Sequence, residues 1–290
     1  MYKRYLAVIF SLLVLISCSR QITQSDKLMI AVSIQSQAWF VSQIAGDKVE
    51  IIKLLDSSQN PHNYEPGPKQ IQSLSSAGAW ILSGTEFEIG LRPKISALFP
   101  KLLLVDGTEG VNFRYLEEHE DGDRNRSELE IDRHTWLGRE PAKILAAHIC
   151  KTLIFMDSGN AAFYSQRYEN LLSEIDTEFD LLMIDLAPLK GKAVFVYHPS
   201  FGYFLDEFDI HQEAVESGGK EPGPRVLNNL IKKAKEDQAA AIIVQTQFPV
   251  NAAKTIADVL DIGLIELDPF AEDWLGNIRH MGQTLRRTVK

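Results

Sequence analysis

The sequence is short of the materials that several classes of protein require. It has two cysteines, Cys18 and Cys150, too few for a disulfide framework. It has no surplus of positive charge: 30 Lys and Arg stand against 39 Asp and Glu, a formal charge of −9. Such a surface repels phosphate backbones, which excludes nucleic-acid binding as the main role. The apolar run Tyr5–Ile16 is about a dozen residues, below the roughly 18–20 needed to span a bilayer. There is no HExxH helix, no G-x-S-x-G elbow and no phosphate-binding P-loop, so the common hydrolase and nucleotide-binding signatures are missing. Internal repeats and low-complexity segments are absent as well.

What is present suits a large α/β protein. The chain has 290 residues, 45% of them hydrophobic and 24% charged, enough to bury the cores of two medium domains. At the N-terminus, Lys3 and Arg4 precede the apolar run, and Ser17-Cys18-Ser19 follow it. A basic flank, a short apolar stretch and small residues make a secretion signal. Leu15-Ile16-Ser17-Cys18 resembles a bacterial lipobox, in which the cysteine becomes the acylated N-terminus. Residues 1–17 are therefore read as a lipoprotein signal peptide and residues 18–27 as a polar tether to the membrane.

Beyond the tether, apolar strand candidates at Leu28–Ile34, Val49–Leu55, Ala79–Leu82 and Leu102–Val105 alternate with helical segments. The alternation resumes at Ala193–Tyr197 and continues through Ala240–Gln245 and Gly263–Leu267. Strands alternating with helices imply a mostly parallel sheet covered on both faces. Between the two series lies Asn160–Leu186, strongly periodic, with Phe163, Leu171, Ile175, Phe179, Leu182 and Leu186 mostly on one face. As one helix it would run about 40 Å, a rigid bridge. The expected organisation is a first lobe over 28–158, a bridging helix over 159–187 and a second lobe over 188–290.

Four polar residues fall at or near the ends of strands or the starts of helices, where α/β sheets hold their ligands: His62, His134, His198 and Asp268. Prolines beside His62, His198 and Asp268 stiffen the segments that carry them. Three imidazoles and a carboxylate could make one four-coordinate metal site, although position alone does not establish that they converge.

The residues around these four carry a resemblance to the solute-binding proteins of zinc and manganese ABC importers. Asn60-Pro61-His62-Asn63-Tyr64-Glu65-Pro66 resembles the family's first metal-binding loop, and Asp132–Leu137 its second histidine motif. His198–Phe204 resembles the third motif and Gly218–Pro224 the segment that opens the next helix. Leu267-Asp268-Pro269 resembles the final ligand, and Asp273-Trp274 through Leu285 the closing helix. Asn60 and Arg133 depart from the Asp and Pro that many relatives carry there.

The resemblance implies two lobes, each a mostly parallel sheet flanked by helices, with the metal in the cleft between them. It implies His62 and His134 as ligands from the first lobe, and His198 and Asp268 from the second. Manganese relatives usually carry a carboxylate at the third position; His198 there points to Zn2+, with Mn2+ as the alternative. Each ligand histidine needs an acceptor to fix its tautomer, and Glu65, Asp132 and Glu266 are near in sequence. The implied protein is extracytoplasmic, lipid-anchored through Cys18, monomeric and partnered by an ABC permease. It is not an enzyme: four protein ligands would close the site to water, against the alternative of a lipid-anchored metallohydrolase. An adhesin role is compatible with the same anchor. The acidic stretch Glu117–Asp123, with one histidine, is expected to be a solvated loop that collects cations weakly at most.

Overall fold

A computed structural model describes residues 27–56, 59–116, 131–216, 222–237, 239, 241–245, 247–248 and 251–288. The signal peptide, Cys18, the acidic stretch Glu117–Asp123 and Gly218–Glu221 lie outside the described residues. No helix among the described residues is long and apolar enough to cross a membrane.

The first lobe runs β1 (Leu28–Val32), α1 (Gln35–Ala45), β2 (Val49–Lys53), α2 (Pro68–Ser73), β3 (Ala79–Leu82), α3 (Glu86–Leu98), β4 (Leu103–Asp106) and α4 (Arg139–Met156). A single helix, α5 (Ala161–Asp185), then leads to the second lobe. That lobe runs β5 (Ala193–Val196), α6 (Gly202–Asp206), β6 (His211–Ala214), α7 (Pro224–Glu236), β7 (Ala241–Val244), α8 (Asn251–Leu260), β8 (Gly263–Glu266) and α9 (Trp274–Thr288).

Each lobe has a four-stranded sheet, ordered β2-β1-β3-β4 in the first and β6-β5-β7-β8 in the second. All pairings are parallel. The strand order is thus the same in both lobes, although no sequence repeat announces it. In each sheet the order reverses beside the first strand, and the crevice outside the carboxyl ends of the strands at such a point is where open α/β sheets take ligands. The central strands carry continuous apolar runs, AWIL in β3 and AIIV in β7, because helices cover both of their faces.

One apolar core passes through both lobes, and a smaller core lies on the outer side of each sheet. The shared core is built on α5, whose buried face is Tyr164, Leu171, Ile175, Phe179 and Leu182. Phe163, expected on that face, instead lies partly exposed with the Lys48 ammonium over its ring; Tyr164 is buried and donates to Asp157 Oδ2 at 2.6 Å. The final helix α9 returns to this core. The Trp274 ring packs 4.8 Å from Phe40 of α1 and 6.4 Å from Phe179 of α5. Cys150 is buried in α4, as an apolar filler would be.

Two elements escape the sequence pattern. Helix α3 carries Gly90 and Pro93 inside it, which read as breakers. Strand β6 is HQEA, with no apolar alternation to betray it.

The two lobes are tied beside the cleft by a reciprocal pair of indole bonds. Trp136, just after His134, donates Nε1–H to the Pro269 carbonyl at 2.8 Å, and Trp274 donates to the Trp136 carbonyl at 2.7 Å. Both indoles are essentially fully buried. Trp136→Phe strands the Pro269 carbonyl and leaves a small void, so it is expected to cost about 2 kcal/mol. Denaturant unfolding measures this; a loss below about 0.5 kcal/mol, the usual range of surface changes, would show that the pair does not hold the lobes together.

Candidate metal centre

The three histidines meet. His62 lies in the loop after β2, His134 just before a short 3-10 turn (Thr135–Leu137) leading into α4, and His198 two residues beyond β5. Their Nε2 atoms converge: His62 to His198 is 3.0 Å and His198 to His134 is 3.3 Å. One ligand atom from each lies within 4.8 Å of the other two. Zinc bound at 2.0–2.1 Å in a tetrahedron separates its ligand atoms by about 3.3 Å, so the spacing is that of a coordination sphere. His134 and His198 are buried and His62 is exposed at the mouth.

Behind each imidazole stands a carboxylate on the Nδ1 side. Asp132 Oδ1 is 2.8 Å from His134 Nδ1, Glu216 Oε1 is 2.6 Å from His198 Nδ1, and Glu86 Oε2 is 3.3 Å from His62 Nδ1. A carboxylate accepts, so each Nδ1 is the protonated nitrogen and each Nε2 turns a lone pair inward. Three lone pairs pointing at one another repel; a cation between them removes the repulsion. Of the acceptors expected from sequence proximity, only Asp132 serves. Glu65 and Glu266 are exposed, and Glu86 at the start of α3 and Glu216 beyond β6 take their places. Both follow strands, but neither α3, which Glu86 opens, nor β6, which precedes Glu216, shows in the sequence pattern.

The electrostatics agree with this reading. Burial holds the His198 imidazole well below its usual range, and the neighbouring His134 and His62 push it further down, so the ring is neutral at pH 7. Burial alone would raise the Asp132 carboxyl; bonds from His134 and Arg114 overcome that and hold it below the usual carboxylate range. The Glu86 carboxyl likewise resists its partial burial and is held down at about 2, chiefly by the hydrogen bond from His62.

Asp132 is also the point at which the lobes grip each other. Arg114 donates to Asp132 Oδ2 at 2.7 Å and to Asp206 Oδ2 of α6 at 2.9 Å. The Tyr203 hydroxyl donates to the Asp132 carbonyl at 3.0 Å. Gly202 leaves room for this crossing, since a Cβ there would displace the Arg114 guanidinium. Arg133, the departure from proline, donates to the Gly84 carbonyl at 3.2 Å and lies 3.9 Å from Glu86, joining the loop of His134 to that of α3.

Asp268 stands apart from the three histidines and is not in the group whose ligand atoms lie within 4.8 Å of one another. Its Oδ1 accepts from the Phe270 amide at 2.9 Å and from Gln247 Nε2 at 3.0 Å.

Comparison with known proteins agrees with the geometry. The chain is 31% identical to a solved structure of ZnuA, covering 91% of this chain and 100% of that one with a TM-score of 0.85. It is 32% identical to a ZnuA deletion mutant with zinc bound, over 90% of this chain and 97% of that one, TM-score 0.81. It is also 25% identical over 286 residues to the manganese ABC transporter substrate-binding lipoprotein PsaA of Streptococcus anginosus, covering 92% of this chain and 90% of the relative. Two parallel-sheet lobes joined by a long helix and closing on converged imidazoles define a metal-binding substrate-binding protein of an ABC importer. The chain belongs to the ZnuA family, described as the periplasmic component A of a zinc-uptake complex, whose model matches residues 30–288. That family consists of solute-binding proteins that work with a permease, not of enzymes, which removes the metallohydrolase alternative.

The carboxylates behind the ligands generate a graded expectation. Glu216 is almost fully buried against His198, whereas the Glu86 side chain is 36% exposed and its contact longer. Glu216→Ala is expected to weaken metal binding about 10–100-fold with the fold intact, and Glu86→Ala less. Isothermal titration with circular dichroism as the folding control checks it; unchanged affinity in Glu216→Ala would sink the assignment.

Proposed function

We propose that the protein captures Zn2+ outside the cytoplasm and delivers it to an ABC permease, with His62, His134, His198 and Asp268 as the four ligands. The convergence of three Nε2 atoms, each turned inward by a carboxylate on its own Nδ1, carries this reading. An all-imidazole cluster suits zinc, whereas manganese prefers more oxygen ligands. The zinc-bound ZnuA deletion mutant, at 32% identity, adds support. The manganese named for the Streptococcus relatives is the competing cargo.

Asp268 completes the set as the one anionic ligand. Its loop is held next to that of His134 by the Trp136–Pro269 bond. A carboxylate has two oxygens and about four lone-pair sites, so metal binding through Oδ2 is compatible with the bonds that Oδ1 accepts. The loop must shift toward the imidazoles for this to happen.

The protein acts as a monomer held to the membrane by acylated Cys18 and the tether 18–27. The lipobox resemblance of Leu15–Cys18 motivates this, together with the word lipoprotein in the names of relatives. Wild type is expected to enter the detergent phase on phase separation and Cys18→Ser to remain aqueous or unprocessed. Equal partition of the two forms would refute the anchor.

The cargo is tested by metal analysis of protein purified without added metal, followed by zinc–manganese competition in wild type and in His62→Ala, His134→Ala, His198→Ala and Asp268→Ala. Zinc is expected to win in wild type, and each variant to lose affinity by at least about tenfold. Preference for manganese would overturn the choice of metal; wild-type affinity in any two histidine variants would overturn the ligand set.

A further inference from the structure

The His198 imidazole is covered by an apolar ring. Phe248 stacks on it with centroids 4.1 Å apart and planes 16° from parallel, and its ring also stands 6.0 Å from that of His62 across the cleft. The cover is fastened to the ligand it protects. The Phe248 amide donates to the Gln245 carbonyl at 3.2 Å. Gln245, itself buried, donates from Nε2 to the His198 carbonyl at 2.7 Å and to Ser200 Oγ at 2.8 Å, and accepts from the His198 amide at 3.3 Å. The turn after β7 and the segment after β5 are therefore clamped together, and ring and imidazole are held as one unit. The Trp136 ring stands 5.4 Å from that of His134 on the other side of the cluster, and Phe248 is the ring that covers His198 and faces His62.

We infer that Phe248 is a specificity-determining residue, an apolar cover that denies water a place in the metal's coordination sphere and so favours a four-coordinate cation over one that needs additional oxygen ligands. The inference rests on the proposed three-histidine, one-carboxylate site. Its physical basis is the difference in coordination habit: zinc is satisfied by four ligands, whereas manganese prefers an oxygen-rich sphere that has to include water when the protein supplies only one carboxylate. A phenyl ring can neither coordinate nor hold a water in place of a ligand. An apolar shell also lowers the local dielectric, which strengthens the metal–ligand attraction inside it.

Cobalt reports coordination number directly, because four-coordinate Co2+ absorbs visible light far more strongly than higher-coordinate Co2+. Cobalt spectra and zinc–manganese competition are measured on wild type, Phe248→Ala and Phe248→Leu, with thermal unfolding of the metal-free forms as the folding control. Wild type is expected to give the intense four-coordinate spectrum. Phe248→Ala is expected to weaken it several-fold and to reduce the preference for zinc over manganese by about tenfold. Phe248→Leu, which keeps an apolar cover, should stay close to wild type in both. An Ala variant with wild-type spectrum and preference overturns the inference, and so does a Leu variant that fails as fully as Ala. A wild type that prefers manganese overturns the zinc reading instead, and the cobalt spectra of the three proteins then decide the role of Phe248.

Discussion

The mutual repulsion of three nitrogen lone pairs is the constraint on which the rest of the structure depends. Each Nε2 faces inward because a carboxylate takes the proton-bearing Nδ1 on the far side. Such an arrangement is unfavourable without a cation and favourable with one, so the site stores a preference for metal in its tautomers. It also needs both lobes, since His62 and His134 come from one and His198 from the other. The three imidazoles therefore meet only where the two lobes face each other.

The scaffold is arranged to hold this geometry at several depths. The nearest layer is the set Asp132, Glu216 and Glu86. Behind it, Arg114 joins Asp132 to Asp206 across the lobes, and Arg133 joins the loops of His134 and α3. Behind these, the Trp136 and Trp274 indoles fix the loop of His134 to that of Asp268, and α5 supplies the apolar core shared by both lobes. Charged groups close to the cleft thus set direction, while buried apolar groups further out set distance.

The sequence made the large outline and the histidines legible, and left their supports hidden. Apolar runs revealed the central strands, and the long period of Asn160–Leu186 revealed α5, because buried faces impose patterns. His62, His134 and His198 sat where strands end or helices begin, in segments that resembled a known family. Glu216 was hidden because β6 is polar and reads as loop, and Glu86 because Gly90 and Pro93 disguise α3. Glu65 and Glu266 looked apt only through proximity along the chain; the backbone turns both toward solvent. Phe163 and Tyr164 exchanged roles for a similar reason: one step along a helix is about 100°, enough to move a ring from core to surface. Phe248 gave no sign in sequence, since a stacking partner is chosen by tertiary structure alone.

X-ray absorption at the zinc edge of the protein loaded with one equivalent of Zn2+ tests the central claim most directly. The account predicts four light-atom ligands at about 2.0–2.1 Å, with the outer-shell scattering of three imidazole rings. A six-coordinate, oxygen-dominated shell, or scattering from fewer than two imidazoles, would contradict it.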